Sequence, residues 1–205
     1  MGPEAGGVER PLTAARTVGR MELLSGLLSS LGLSGAAGLN AFVPLLLVGL
    51  LSRFGVVTLN EPFDLLASTW VLVGIGVLGL LDFVGDKIPG VDHALHLLGG
   101  VVNTAAGAVL FASQSGVADV PPALSMALGL IVAGGVHATR TAVRPVATAT
   151  TGGLGNPVVS GVEDGTSAVL SVLAVFAPVL GAALLAVVVV LAARFWMRLR
   201  PRRLV

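Results

Sequence analysis

Cysteine and tyrosine are absent from the 205 residues, and only 11% of the side chains are charged. Without cysteine there are no disulfides and no thiolate metal ligands. A water-soluble domain carries about 25% charged residues to solvate its surface. Less than half that share cannot keep a globule of this size in water, whereas a bilayer removes the requirement by replacing water as the outer solvent. Aromatic residues are few at 4%, leaving Trp70 and Trp196 as candidate interfacial anchors. A net charge of +1 argues against a nucleic-acid partner.

What the chain does have is apolar and small. Hydrophobic residues make up 55%, and glycine alone contributes 28 positions. In lipid, small residues let helix backbones approach closely, so this composition predicts tightly packed transmembrane helices. The expected fold class is all-α, a polytopic transmembrane helical bundle whose natural surroundings are the lipid bilayer. Residues 1–21 read as a disordered arm, 22–197 as the membrane domain and 198–205 as a basic tail. Met21 opens an apolar segment as a natural start would, so Met1 and Met21 both stand as candidate start sites.

Five apolar stretches follow: Leu23–Leu51, Trp70–Val84, Leu95–Ser113, Pro122–Ala138 and Thr166–Trp196. The last is too long for one upright span of about 20 residues and short for two. It is either one kinked helix or a tight hairpin at Pro178, giving five or six spans. Arg194, Arg198, Arg200, Arg202 and Arg203 place the C-terminus in the cytoplasm of a cell-membrane protein. Six crossings with both ends inside leave Arg53 as the one external cation and fit the charges better than five.

Three segments break the apolar pattern. In the first, Gly35, Gly38 and Pro44 weaken a helix around one buried amide, Asn40. A small-residue packing face with Asn40 as an interhelical bridge is the simpler reading. The sharper one is a discontinuous helix whose ends contact a solute. In the second, Asp82 and Asp86 share a helical face before the break at Pro89, with Asp92, His93 and His96 beyond it. No recognised metal-ligand spacing is present, and no cofactor is implied. The third carries Arg140 and Arg144, also four apart, then Pro145, a Thr/Gly-rich run with Asn156 and Pro157, and Glu163-Asp164. If the second and fourth apolar helices are neighbours, their ends set two aspartates opposite two arginines, as a clasp or as a gate. The run from Thr148 to Gly161 suits a re-entrant loop or a cytoplasmic linker. Gly38-Leu-Asn40 before Pro44 faintly echoes Gly153-Leu-Gly-Asn156-Pro157, a weak two-fold internal repeat.

Together, GLSGAAGLNAFVPLLLVGLL, LDFVGDKIPGVDH and RPVATATTGGLGNPVVSGVED resemble the bacterial membrane family called domain of unknown function 4126. That resemblance implies a membrane location and leaves the activity open. From the residues themselves, the leading expectation is a small transporter or channel-like protein for a small or anionic solute or a lipid headgroup. Its pathway candidates are Asn40, Asp82, Asp86, Arg140, Arg144, Asn156, Glu163 and Asp164. The alternative is a non-catalytic scaffold or accessory subunit with a membrane-protein partner or a second copy of itself. An enzyme is disfavoured, because no nucleophile–base constellation stands out.

Overall fold

The computed structural model describes residues 9–85, 91–114, 117, 119–152 and 155–199. Among these residues seven α-helices follow in order: α1 (Glu9–Leu39), α2 (Phe42–Arg53), α3 (Thr69–Gly85), α4 (Val91–Ser113), α5 (Pro122–Thr151), α6 (Asn156–Phe176) and α7 (Pro178–Leu199). A 3-10 turn at Phe63–Ala67 joins α2 to α3. Four of these helices contain segments long and apolar enough to cross a membrane: Gly19–Leu39, Pro122–Ala142, Asn156–Phe176 and Pro178–Phe195. The chain is a helical membrane protein by composition and architecture.

Prolines and glycines sit mostly where helices begin and end. Pro122, Pro157 and Pro178 occupy the first turns of α5, α6 and α7, where a missing N–H costs nothing. Pro44 does the same in α2. Gly152, at φ 62°, closes α5 in the left-handed conformation that a residue with a Cβ resists. Pro145, expected as a break, lies inside an uninterrupted α5 on an exposed turn. Pro89 falls outside the described residues. Helix α1 starts at Glu9, within the segment read as an irregular arm.

Helix α1 forms the centre of the bundle, with Leu33, Ala36 and Ala37 fully buried. Along it, α4 runs antiparallel: Ser30 Oγ donates to the Phe111 carbonyl (3.2 Å), Ser34 Oγ to that of Gly107 (2.5 Å), and Ala41 N–H to Asn103 Oδ1 (3.2 Å). Helix α5 runs parallel to α1, since Gly129 lies level with Ser34 and Arg140 with Leu39. Helix α6 is antiparallel, with Ser167 at Ala36 and Ala174 at Gly32. Gly35 and Gly38, expected as breaks, lie within the continuous helix and instead permit close approach. A Cβ on Gly38 would fall 2.6 Å from the Ala133 carbonyl oxygen.

Two apolar stretches differ from a simple span count. The last is a hairpin: α6 and α7 meet at Ala177, and Gly181 of α7 backs onto Ala174 of α6. The first is also a hairpin. Helix α2 is 12 residues long, about 18 Å at 1.5 Å per residue. Beyond it, Asn60 N–H donates to the Ser113 carbonyl (2.8 Å) and Leu59 bridges to Gln114, both at the Ser30 end of the bundle. The short link after Arg53 cannot return there unless α2 itself runs back alongside α1. Helix α3 then descends along α2, with Leu72 packed at Gly49 and Gly79 at Phe42. The chain therefore reverses at Asn40-Ala41, and α7 ends at the opposite end of the bundle from the start of α1.

Candidate functional site

The reversal exposes backbone groups that helices ordinarily satisfy internally. Helix α1 stops at Leu39 with carbonyls lacking a following turn, and α2 starts at Phe42 with free N–H groups. Side chains from the turn itself and from three other helices fill those vacancies. Asn40 Oδ1 accepts from Phe42 N–H (2.8 Å) and Val43 N–H (3.3 Å), which caps α2. Asn103 Oδ1, from α4, accepts from Ala41 N–H at 3.2 Å. Arg140 Nη1, from α5, donates to the Leu39 carbonyl at 2.5 Å. Ser167 Oγ, from α6, lies 2.9 Å from the Ala36 carbonyl oxygen and 3.3 Å from that of Asn40.

Two carboxylates adjoin this tip. Asn40 Nδ2 donates to Asp164 Oδ1 (2.8 Å), and Arg140 Nε lies 2.7 Å from Glu163 Oε2. Both members of that ion pair are almost entirely buried, with side-chain exposures of 8% and 11%. Consecutive residues on a helix point about 100° apart, so Glu163 and Asp164 address different neighbours. Glu163 faces a cleft of about 300 Å³ between α5, α6 and α7, which Leu39, Arg140 and Val188 also line. Asp164 faces a groove of about 530 Å³ between α2, α3 and α6, with Asn40 beside it.

Four of the eight expected pathway residues thus converge on one point: Asn40, Arg140, Glu163 and Asp164. Arg140 forms an ion pair with Glu163 of α6, a pairing that the sequence did not suggest. Helix α5 packs mainly on α4 and α1. Asp82 is half-buried near the lower end of α3 and takes no part in the bonds of the tip described above. Asp86 lies outside the described residues, as does the side chain of Arg144. Asn156 heads α6 two turns below Asp164, where it accepts from Thr148 Oγ1 at 3.0 Å. The described part of the Thr148–Gly161 run is chiefly helical, with α5 continuing to Thr151 and α6 starting at Asn156. The repeat echo falls on two helix junctions, since Asn40 and Asn156 each stand where one helix hands over to the next.

Asn103, His137 and Ser167 were not singled out by the sequence. Asn103 Nδ2 lies 3.4 Å from His137 Nδ1, which links the tip to α5 a second time. One buried amide in the middle of the third apolar stretch was the available signal for Asn103. Ser167 carried none, because a lone serine in a small-residue helix is indistinguishable from packing.

A bundle of apolar helices around a buried chain reversal, with charged groups held at the reversal, defines a polytopic helical membrane protein with a hairpin turn inside the bundle. The chain belongs to the family described as domain of unknown function (DUF4126), whose model matches residues 27–198. No curated protein and no solved structure matches it.

Proposed function

We propose that this protein is a small membrane transporter or channel-like protein whose solute site is the chain reversal at Asn40-Ala41. The reversal carries the proposal. From Ser30, level with the Leu59–Gln114 end, to Asn40 is about 15 Å of helix, against a hydrocarbon core about 30 Å thick. On that placement the α1–α2 hairpin enters the bilayer, turns near mid-depth and leaves by the same face. Irregular backbone at that depth is tolerated where it is buried in protein or lines a water-filled cavity, and discontinuous helices at the midplane are a common form of transport site. The clefts on either side of α6 give a small solute two approaches. An anionic solute or a lipid phosphate would take the α5–α7 side by competing with Glu163 for Arg140.

Arginine placement supports a cytoplasmic C-terminus. The sequence carries five arginines from Arg194 to Arg203, and α7, which bears Arg194 and Arg198, ends at the opposite end of the bundle from Arg20 and Arg53. In this orientation the hairpin opens toward the outside.

Purified protein in liposomes, tested for counterflow of a panel of small neutral, cationic and anionic solutes, provides the test. Flux above empty vesicles that is lost in Asn40→Leu is expected. A scaffold with exposed helix faces is the second reading, favoured by Gly161 and Gly165 on α6, over which a Cβ would meet nothing. Absence of flux for every solute, together with one stoichiometric co-purifying membrane protein, establishes the scaffold and ends the transporter proposal.

A further inference from the structure

The groove between α2, α3 and α6 is built unlike the cleft on the other side of α6. Its walls are Phe42, Val43, Leu46 and Phe83, and its polar lining side chains are Asn40 and Asp164. At about 530 Å³ it lies within the usual range of small-molecule pockets, about 300–1,000 Å³. Asp164 is half-buried, and among the described residues its polar partner is the neutral amide of Asn40. The nearby cation, Arg140, is engaged with Glu163 and the Leu39 carbonyl on the α5 side. Among the described residues, the groove therefore presents a carboxylate with no counter-charge bonded to it. A carboxylate at bilayer mid-depth costs about 2.5–3.5 kcal/mol on insertion scales, so a cation bound there is strongly favoured.

We infer that this groove binds a monovalent organic cation with an apolar body, with Asp164 as the counter-ion; the inference rests on the transporter reading and names the solute class. An anion is repelled by Asp164. A bare metal ion would exchange its hydration shell for two oxygen-bearing side chains and apolar walls, which is a poor exchange. A phospholipid amine is held at the headgroup level, far from mid-depth. An ammonium or phosphonium ion with an apolar body suits both parts of the groove. Its charge meets Asp164, its body displaces lipid or water from the apolar walls, and the rings of Phe42 and Phe83 offer attraction to the cation.

The test uses tetraphenylphosphonium and its isosteric anion tetraphenylborate, with the full chain in detergent and binding followed by equilibrium dialysis. The cation is expected to bind one per chain, unaffected by the anion. Asp164→Asn is expected to weaken binding at least tenfold. Gly76→Leu serves as a second variant that leaves the bonds of the tip in place. Gly76 lines the groove and a Cβ there meets nothing within 4 Å, so the leucine fills the site and abolishes binding without a clash at its root. Equal binding of cation and anion, or unchanged binding in both variants, overturns the inference. Failure of the transporter reading looks different: the cation then binds in an Asp164-dependent way but is not carried across liposomes. Counterflow of an anion without any cation binding overturns the inference and leaves the transporter reading intact.

Discussion

Replacing Asn40 by alanine removes three hydrogen bonds with one substitution. Asn40 Oδ1 holds the first two N–H groups of α2, and Nδ2 holds Asp164. Loss of a helix N-cap costs about 1 kcal/mol. A hydrogen bond to a charged group contributes about 1.5–3 kcal/mol, and Asn40 is 8% exposed, so water replaces little of it. The sum, about 3 kcal/mol, lowers the folding equilibrium by roughly two decades. Unfolding in mixed micelles by titrated denaturing detergent, followed by circular dichroism, measures it. Asn40→Ser separates the two terms, because serine still caps α2 but is too short to hold Asp164. It should recover about 1 kcal/mol of the loss. A change below about 0.5 kcal/mol for Asn40→Ala would show that the cap and the Asp164 bond are not made in the membrane.

Gly38→Ala places a Cβ 2.6 Å from the Ala133 carbonyl oxygen, a backbone atom, and should cost about 1–3 kcal/mol in the same assay. Gly135→Ala on α5 meets open space and should be neutral or stabilising by about 0.5–1 kcal/mol. Arg140→Gln leaves Glu163 nearly buried without its cation and should cost about 3–5 kcal/mol, with part regained in the double variant Arg140→Gln/Glu163→Gln. Reporter fusions at the two ends should read opposite sides of the membrane, C-terminus inside; reporters on the same side would contradict an odd number of crossings.

Much of the fold was legible because composition leaves helices in lipid as the one economical arrangement. The apolar stretches from Trp70 to Ala138 became α3, α4 and α5, with α5 running past the expected end at Ala138 to Thr151. Topology was harder, for a local reason. Gly35, Gly38 and Pro44 all weaken helices, yet the chain breaks only at Asn40-Ala41, where an amide side chain can cap the next helix. The glycines serve contacts with α5 and α7 that no single-chain pattern announces. Asn40 and the Glu163-Asp164 pair stood out as polar groups in apolar surroundings, but their meeting depends on α6 running antiparallel to α1. Arg140 was found for its charge, but its pairing with Glu163 was not, because helix adjacency is not written in spacing. Asn103 showed only as an amide in an apolar stretch, and Ser167 acts through the backbone of Ala36, a contact that leaves no trace in residue type.

The central claim is that the reversal at Asn40-Ala41 sits at mid-depth beside a solute-accessible groove. Single cysteines placed one at a time from Gly38 to Leu50 in the cysteine-free chain, labelled in intact vesicles with a membrane-impermeant maleimide, test it most directly. The expected profile labels Val43 and Leu46, which line the groove, from the outer side, with protection by tetraphenylphosphonium and a return to free labelling beyond Leu50. A profile in which Asn40 and its neighbours label from the side opposite Leu50, or in which Val43 and Leu46 stay unlabelled from both sides, would contradict it.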